Sequence, residues 1–201
     1  MKVINVNSLT QDILSFWFGA WPYDEKAAKQ QASLWFESDE ALDKKIEETF
    51  GDAVQAALVG EFPCDSQEDK IASILLLDQF TRNIFRGQAK AFSGDPQALD
   101  ICLAMIDSQH HLTQPLDVAI FCCMPLQHSE DLAIQERSIK VFSQLVERHG
   151  EKAQRILEFA QTHKAIIEEF SRYPHRNKAL GRTSTEQERQ YLENSGMRFG
   201  Q

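Results

Sequence analysis

The chain has 201 residues, 42% hydrophobic and 25% charged, with only nine Gly and six Pro. This excludes a disordered chain, leaves too few turn residues for a many-stranded sheet, and suits one helical domain over residues 1–201. A formal net charge of −9 disfavours a nucleic-acid binder, which needs clustered cations.

Apolar residues recur at helical spacing throughout. The first predicted helix covers residues 9–18, with Ser8 or Thr10 as cap and Leu9, Ile13 and Trp17 on one stripe. FWFGAWPY breaks it at Gly19 and Pro22. These aromatics, with Trp35 and Phe36, read as core, since large rings dominate core burial. Ser38 is the expected cap of a second helix, with Asp39 and Glu40 at its positive end. Its buried face is Leu42, Ile46, Phe50, Val54, Ala57 and Leu58, and Gly60 stops it. A third begins near Asp65 or Ser66. Its segment IASILLLDQF is apolar nearly all round, so it is the expected most buried helix.

A fourth helix is expected from Asp95 as cap, with Pro96 at the first helical position. The fifth runs from about Pro115 to Met124 and is expected to bend or end near Pro125. The sixth opens at Ser129, turns Ile139, Phe142, Leu145 and Val146 inward, and closes at Gly150. A seventh spans residues 152–170, and a short last helix begins at Thr185, where Thr185-x-x-Glu188 spells a capping box. About eight helices joined by short connections pack as antiparallel neighbours, in a closed bundle or in an α-solenoid.

Cys64, Cys102, Cys122 and Cys123 form no C-x-x-C and read as small hydrophobes in a reducing compartment. The start MKVINVNSLTQD has no apolar signal core, so the expected location is cytoplasmic. The longest apolar run, Val118 to Leu126, is far short of the roughly 20 residues that cross a bilayer, so no membrane partner is expected. From Ser171 onward six Lys/Arg face three Asp/Glu. This cationic segment either grips an anionic ligand or docks on the acidic part of its own chain.

Three polar segments concentrate the chemistry-bearing residues. Asp78-Gln79-Phe80-Thr81-Arg82-Asn83 closes the most apolar helix. A carboxylate there must be paired, and Arg82, four residues on, shares its face. Met124-Pro125-Leu126-Gln127-His128-Ser129-Glu130-Asp131 contains helix-capping chemistry that leaves His128 unexplained. A histidine among carboxylates suits acid/base work, and the spacing matches no zinc motif. Arg172-Tyr173-Pro174-His175-Arg176-Asn177 repeats the R-N-x-x-x-G spacing of Arg82-Asn83-x-x-x-Gly87, ending at Gly181. Two such corners either converge on one anion or simply finish two helices. No phosphate-binding glycine loop or nucleophile elbow is present, so no cofactor is expected and no reaction is assigned.

Taken together, ILLLDQFTRNIFRG, MPLQHSEDLAIQERS and FSRYPHRNKALGRTSTEQE resemble the bacterial domain-of-unknown-function family 924, as do FWFG near the start and Trp35-Phe36. The chain departs from its pattern at Thr81, where proline is expected. The resemblance implies an all-α, TPR-like superhelix of antiparallel helix pairs and brings no activity with it. The functional expectation is a small anionic ligand in a polar pocket made by helix ends. Asp78, Arg82, Asn83, His128, Asp131, His175, Arg176 and Asn177 would line it. The alternative is a protein-interaction module holding a peptide or partner helix on a concave face.

Overall fold

In the computed structural model residues 6–36 and 39–194 are described, and every regular element among them is helical. α1 (Val6–Phe18), α2 (Glu25–Phe36) and α3 (Glu40–Leu58) come first. α4 (Gln67–Ile74) runs into a π-helical segment, Leu75–Phe80, and then into α5 (Thr81–Ile84). A 3₁₀ turn (Ala89–Phe92) leads to α6 (Asp95–Asp107), α7 (His110–Thr113), α8 (Leu116–His128) and α9 (Leu132–His149). A second 3₁₀ turn (Gly150–Ala153) leads to α10 (Gln154–Phe170), a third (Pro174–Arg176) follows, and α11 (Glu186–Asn194) comes last.

Local signals explain most of these boundaries. Asp39 caps α3, its carboxylate accepting from the Ala41 amide at 2.9 Å. Ser66 and Asp69 form a reciprocal capping box on α4. Asp69 also accepts from Thr10 Oγ1 at 2.7 Å, tying α4 to α1. The predicted box of Thr185 and Glu188 is present: the Thr185 amide donates to Glu188 at 2.7 Å and the Glu188 amide to Thr185 Oγ1 at 3.2 Å. Gly150 ends α9 with φ of 66°.

The predicted boundaries are corrected in five places. α1 starts before Ser8 and carries Thr10 inside it. α2 was not predicted: Asp24 caps it through the Ala27 amide at 2.8 Å, but EKAAKQQASLWF has no broad apolar stripe. Asp95 is not a cap; Gly94 occupies that position. α8 does not end at Pro125 but continues to His128, and the Gln135 side-chain amide of α9 reaches the backbone oxygens beyond the proline. Gln135 Nε2 lies 3.3, 2.9 and 2.7 Å from the Leu126, Gln127 and Ser129 oxygens. α9 is capped by Asp131 rather than Ser129. Ser38 and the Phe36 side chain, both named above, lie outside what is described.

α8 packs on α9 through the short connection 129–131, and α9 packs on α10 across Gly150–Ala153, so each pair runs antiparallel. α6 lies against α8, α1 against α2 and α4, and α3 against α5 and the π segment. The stacked pairs form an all-α fold, and nothing in their order or packing contradicts the expected TPR-like superhelix. Every residue from Ile71 to Phe80 is buried, which places the π segment in the middle of the core. Trp17, Phe80, Phe121 and Trp35 pack edge to face or tilted at 5.2–5.4 Å between ring centroids. Burying one such side chain stabilises by about 1.5–3 kcal/mol. Among the described residues no helix is long and apolar enough to cross a membrane.

Candidate functional site

Asp78 lies fully buried inside the π segment. The widened turn is anchored by Thr81, which donates its amide to the Leu76 oxygen and its hydroxyl to the Leu77 oxygen at 2.7 Å. Gln79 donates from Nε2 to Asp78 Oδ2. Arg82 Nη1 sits 3.2 Å from Asp78 Oδ1 and 2.5 Å from the Asp78 backbone oxygen. Burial alone would raise the Asp78 carboxyl. The Arg82 guanidinium, then His128 and Gln79, outweigh it and hold the group well below the usual carboxylate range.

His128 comes to Asp78 from the last turn of α8, with Nδ1 at 2.6 Å from Asp78 Oδ1. An ionised carboxylate only accepts, so Nδ1 carries the proton. Burial and the Arg82 charge push the imidazole below its ordinary 6.5, against the opposing pull of Asp78. The neutral ring therefore keeps a lone pair on Nε2, which has no hydrogen-bond partner among the described residues.

Asp95, the first residue of α6, completes the cluster. Arg82 reaches it through Nη1 at 2.9 Å and Nη2 at 3.1 Å, and Arg176 Nη1 donates to the same Oδ2 at 2.9 Å. Arg176 packs over two aromatic rings, 4.5 Å from the Phe92 centroid and 4.8 Å from that of Tyr173. Gly94 makes this approach possible: a Cβ there would stand 2.3 Å from the Leu77 carbonyl oxygen, inside the π segment. Two guanidiniums and two carboxylates balance, so the cluster is neutral while His128 is neutral.

A second set of bonds holds the 171–184 segment in place. Tyr173 is buried, donates its hydroxyl to the Gln127 oxygen and accepts from Gln135 Nε2 at 2.8 Å. Glu130 accepts from the Tyr173 amide at 2.7 Å and from Arg182 at 2.7 and 3.0 Å. The cationic C-terminal segment thus docks on acidic groups of its own chain, through Arg176 on Asp95 and Arg182 on Glu130. His163 is buried, donates from Nδ1 to the Phe159 oxygen at 2.7 Å, and lies 6.3 Å from His128 and 5.8 Å from Tyr173 between ring centroids.

Of the residues singled out in the sequence, Asp78, Arg82, His128 and Arg176 meet. His175 flanks them, its ring 5.4 Å from that of Tyr173. The others turn elsewhere. Asn83 donates to Asp43 at 2.7 Å, beside Arg86, and joins α5 to α3. Asp131 caps α9 at the surface. Asn177 is buried and donates to Ser184 Oγ at 3.1 Å. Sequence reasoning missed Asp95, Tyr173 and Glu130. For Asp95 the available signal was two arginine corners with only Asp78 to balance them.

Among known proteins, the model of "Bacterial protein of unknown function (DUF924)" matches residues 13–196. A solved protein of unknown function from Agrobacterium tumefaciens, ATU0120, is 36% identical and superposes with a TM-score of 0.78. The match covers 94% of this chain and 99% of that one. No curated protein matches. With the order of its motifs, its helical fold and this solved relative in agreement, the chain belongs to the DUF924 family of bacterial proteins of unknown function.

Proposed function

We propose that the cluster at the helix ends binds a small anionic molecule and that His128 moves a proton to or from it. The Asp78–His128 bond carries this reading. The carboxylate fixes the tautomer and orientation of the imidazole and leaves Nε2 as an unspent acceptor in a cluster that contains two guanidiniums. A structural ion network needs Arg82, Asp95 and Arg176 but gains little from a neutral histidine. Solvent reaches the cluster where the side chains of His128 (14%), Arg82 (11%) and Asp95 (17%) are partly exposed.

The interaction-module reading has less support. Val59, Leu132 and Leu180 are the exposed large apolar side chains among the described residues, and no two share an element. A groove for a partner helix needs apolar positions in a continuous stripe. All four cysteines are free, which favours a reducing compartment such as the cytoplasm.

A thermal-shift panel of small carboxylates and phosphate esters, run on wild type and His128→Gln at several pH values, tests the proposal. At least one anion class should stabilise the wild type, with an effect that varies with pH. In His128→Gln that pH dependence should vanish. If no anion stabilises the wild type, the small-anion reading is wrong.

A further inference from the structure

Arg82 and Arg176 meet at one carboxylate, yet they are not equivalent. Arg82 spends both terminal nitrogens on the protein: Nη1 contacts Asp78 and Asp95, and Nη2 donates to Asp95. Arg176 spends only Nη1 on Asp95. Its Nε is buried without a hydrogen-bond partner, and its Nη2 makes no hydrogen bond among the described residues. The residue is only 6% exposed, so water does not readily replace the missing acceptors. Phe92 and Tyr173 both pack against the guanidinium, restrict its movement and leave the Nε–Nη2 edge as a two-donor fork.

We infer that this edge of Arg176 is the anchor for a ligand carboxylate, whose two oxygens accept the two N–H bonds side by side. The inference rests on the small-anion reading above and names its ligand class. A planar carboxylate matches two coplanar donors. A phosphate dianion needs more positive charge than the cluster offers, because Asp78 and Asp95 already balance both guanidiniums. A single negative charge also has a compensating response at hand: it favours the protonated form of His128, so carboxylate binding should take up protons at neutral pH.

The test reads the arginine Nε–H signals of the ¹⁵N-labelled protein during titration with propionate and, separately, with inorganic phosphate. Through-bond correlation assigns the signals. Arg176→Lys keeps a cation opposite Asp95 and removes the fork. Propionate should shift the Arg176 Nε–H signal more than that of Arg82, and should bind Arg176→Lys about ten-fold or more weakly. Equal propionate affinity in Arg176→Lys would overturn the anchor while leaving the small-anion reading intact. A response to phosphate and none to propionate would overturn the ligand class alone. If Arg176 Nε–H ignores both anions, the anchor is wrong, and it is wrong whether or not Arg176→Lys folds. The thermal-shift panel then decides separately whether the small-anion reading survives.

Discussion

Arg82 and Arg176 donate to the same oxygen of Asp95, at 3.1 and 2.9 Å. The two R-N-x-x-x-G corners therefore do converge on one anion, but that anion belongs to the chain itself. Their glycines behave alike, Gly87 and Gly181 both lying in the left-handed region at φ of 75° and 65°. Their asparagines do not: Asn83 turns to Asp43 and Asn177 to Ser184. The arginines thus brace helix α5 and the 171–184 segment against the start of α6. Asp78 and His128 hang from the same brace through Arg82.

Removing the shared carboxylate should therefore be costly. Asp95→Asn leaves two largely buried guanidiniums facing each other with only Asp78 between them in charge. Breaking such a pair typically destabilises by about 3–5 kcal/mol; the partial exposure of Asp95 places the expectation near about 3 kcal/mol. Urea unfolding should show a lower midpoint with an unchanged slope. Added sulfate should restore more stability to Asp95→Asn than to wild type, because it supplies the missing charge. Wild-type stability in the variant would mean that Asp95 is dispensable to the brace.

Acid should unfold the protein before its carboxylates titrate. Burial pushes His163 and His175 down to about 3, and burial together with Arg82 lowers His128. All three are neutral when folded and free to protonate near 6.5 when unfolded. The unfolded state thus binds more protons, and stability that is complete above pH 6.5 is lost as pH falls toward the folded values. Each histidine contributes a slope of up to about 1.4 kcal/mol per pH unit. Denaturation free energy measured between pH 6.5 and 5 should fall steeply, and His163→Phe should remove one histidine's share of the slope. An unchanged slope in His163→Phe would contradict the buried neutral state. Asp78 and Glu188, both held low by arginine partners, act in the same direction but at lower pH.

What the sequence made legible follows from how local each feature is. Capping at Thr185–Glu188 and the stop at Gly150 depend on near neighbours in the chain and were readable there. So was the burial of Ile71–Phe80, which follows from a segment that is apolar nearly all round. Asp95 was misread because a carboxylate before proline is a good cap, and only the fold decides that two distant guanidiniums claim it instead. The π segment has no compositional mark: one extra residue in a turn changes no periodicity over six residues. Pro125 reads as a bend or an end because nothing in its own segment shows that Gln135, on the next helix, reaches the backbone oxygens beyond it. The meeting of Asp78 with His128 was suspected from residue type; its geometry was not accessible.

Gly94 joins these non-local features at one point, which makes it the sharpest test of the arrangement. Its backbone φ is −88°, ordinary for any residue, so Gly94→Ala is not strained by conformation. The difficulty is steric: the new Cβ would meet the Leu77 carbonyl oxygen at 2.3 Å and its Cα at 2.9 Å, both backbone atoms of the buried π segment. Either α6 or the π segment has to retreat, and overpacking of this kind costs about 1–3 kcal/mol. A retreat of α6 carries Asp95 away from Arg82 and Arg176, so the variant should lose part of the brace as well. Gly94→Ala and Asp95→Asn should then be non-additive, the double variant losing less than the two single losses together. Full additivity in a double-mutant cycle would show that the glycine serves only close packing and does not position the carboxylate.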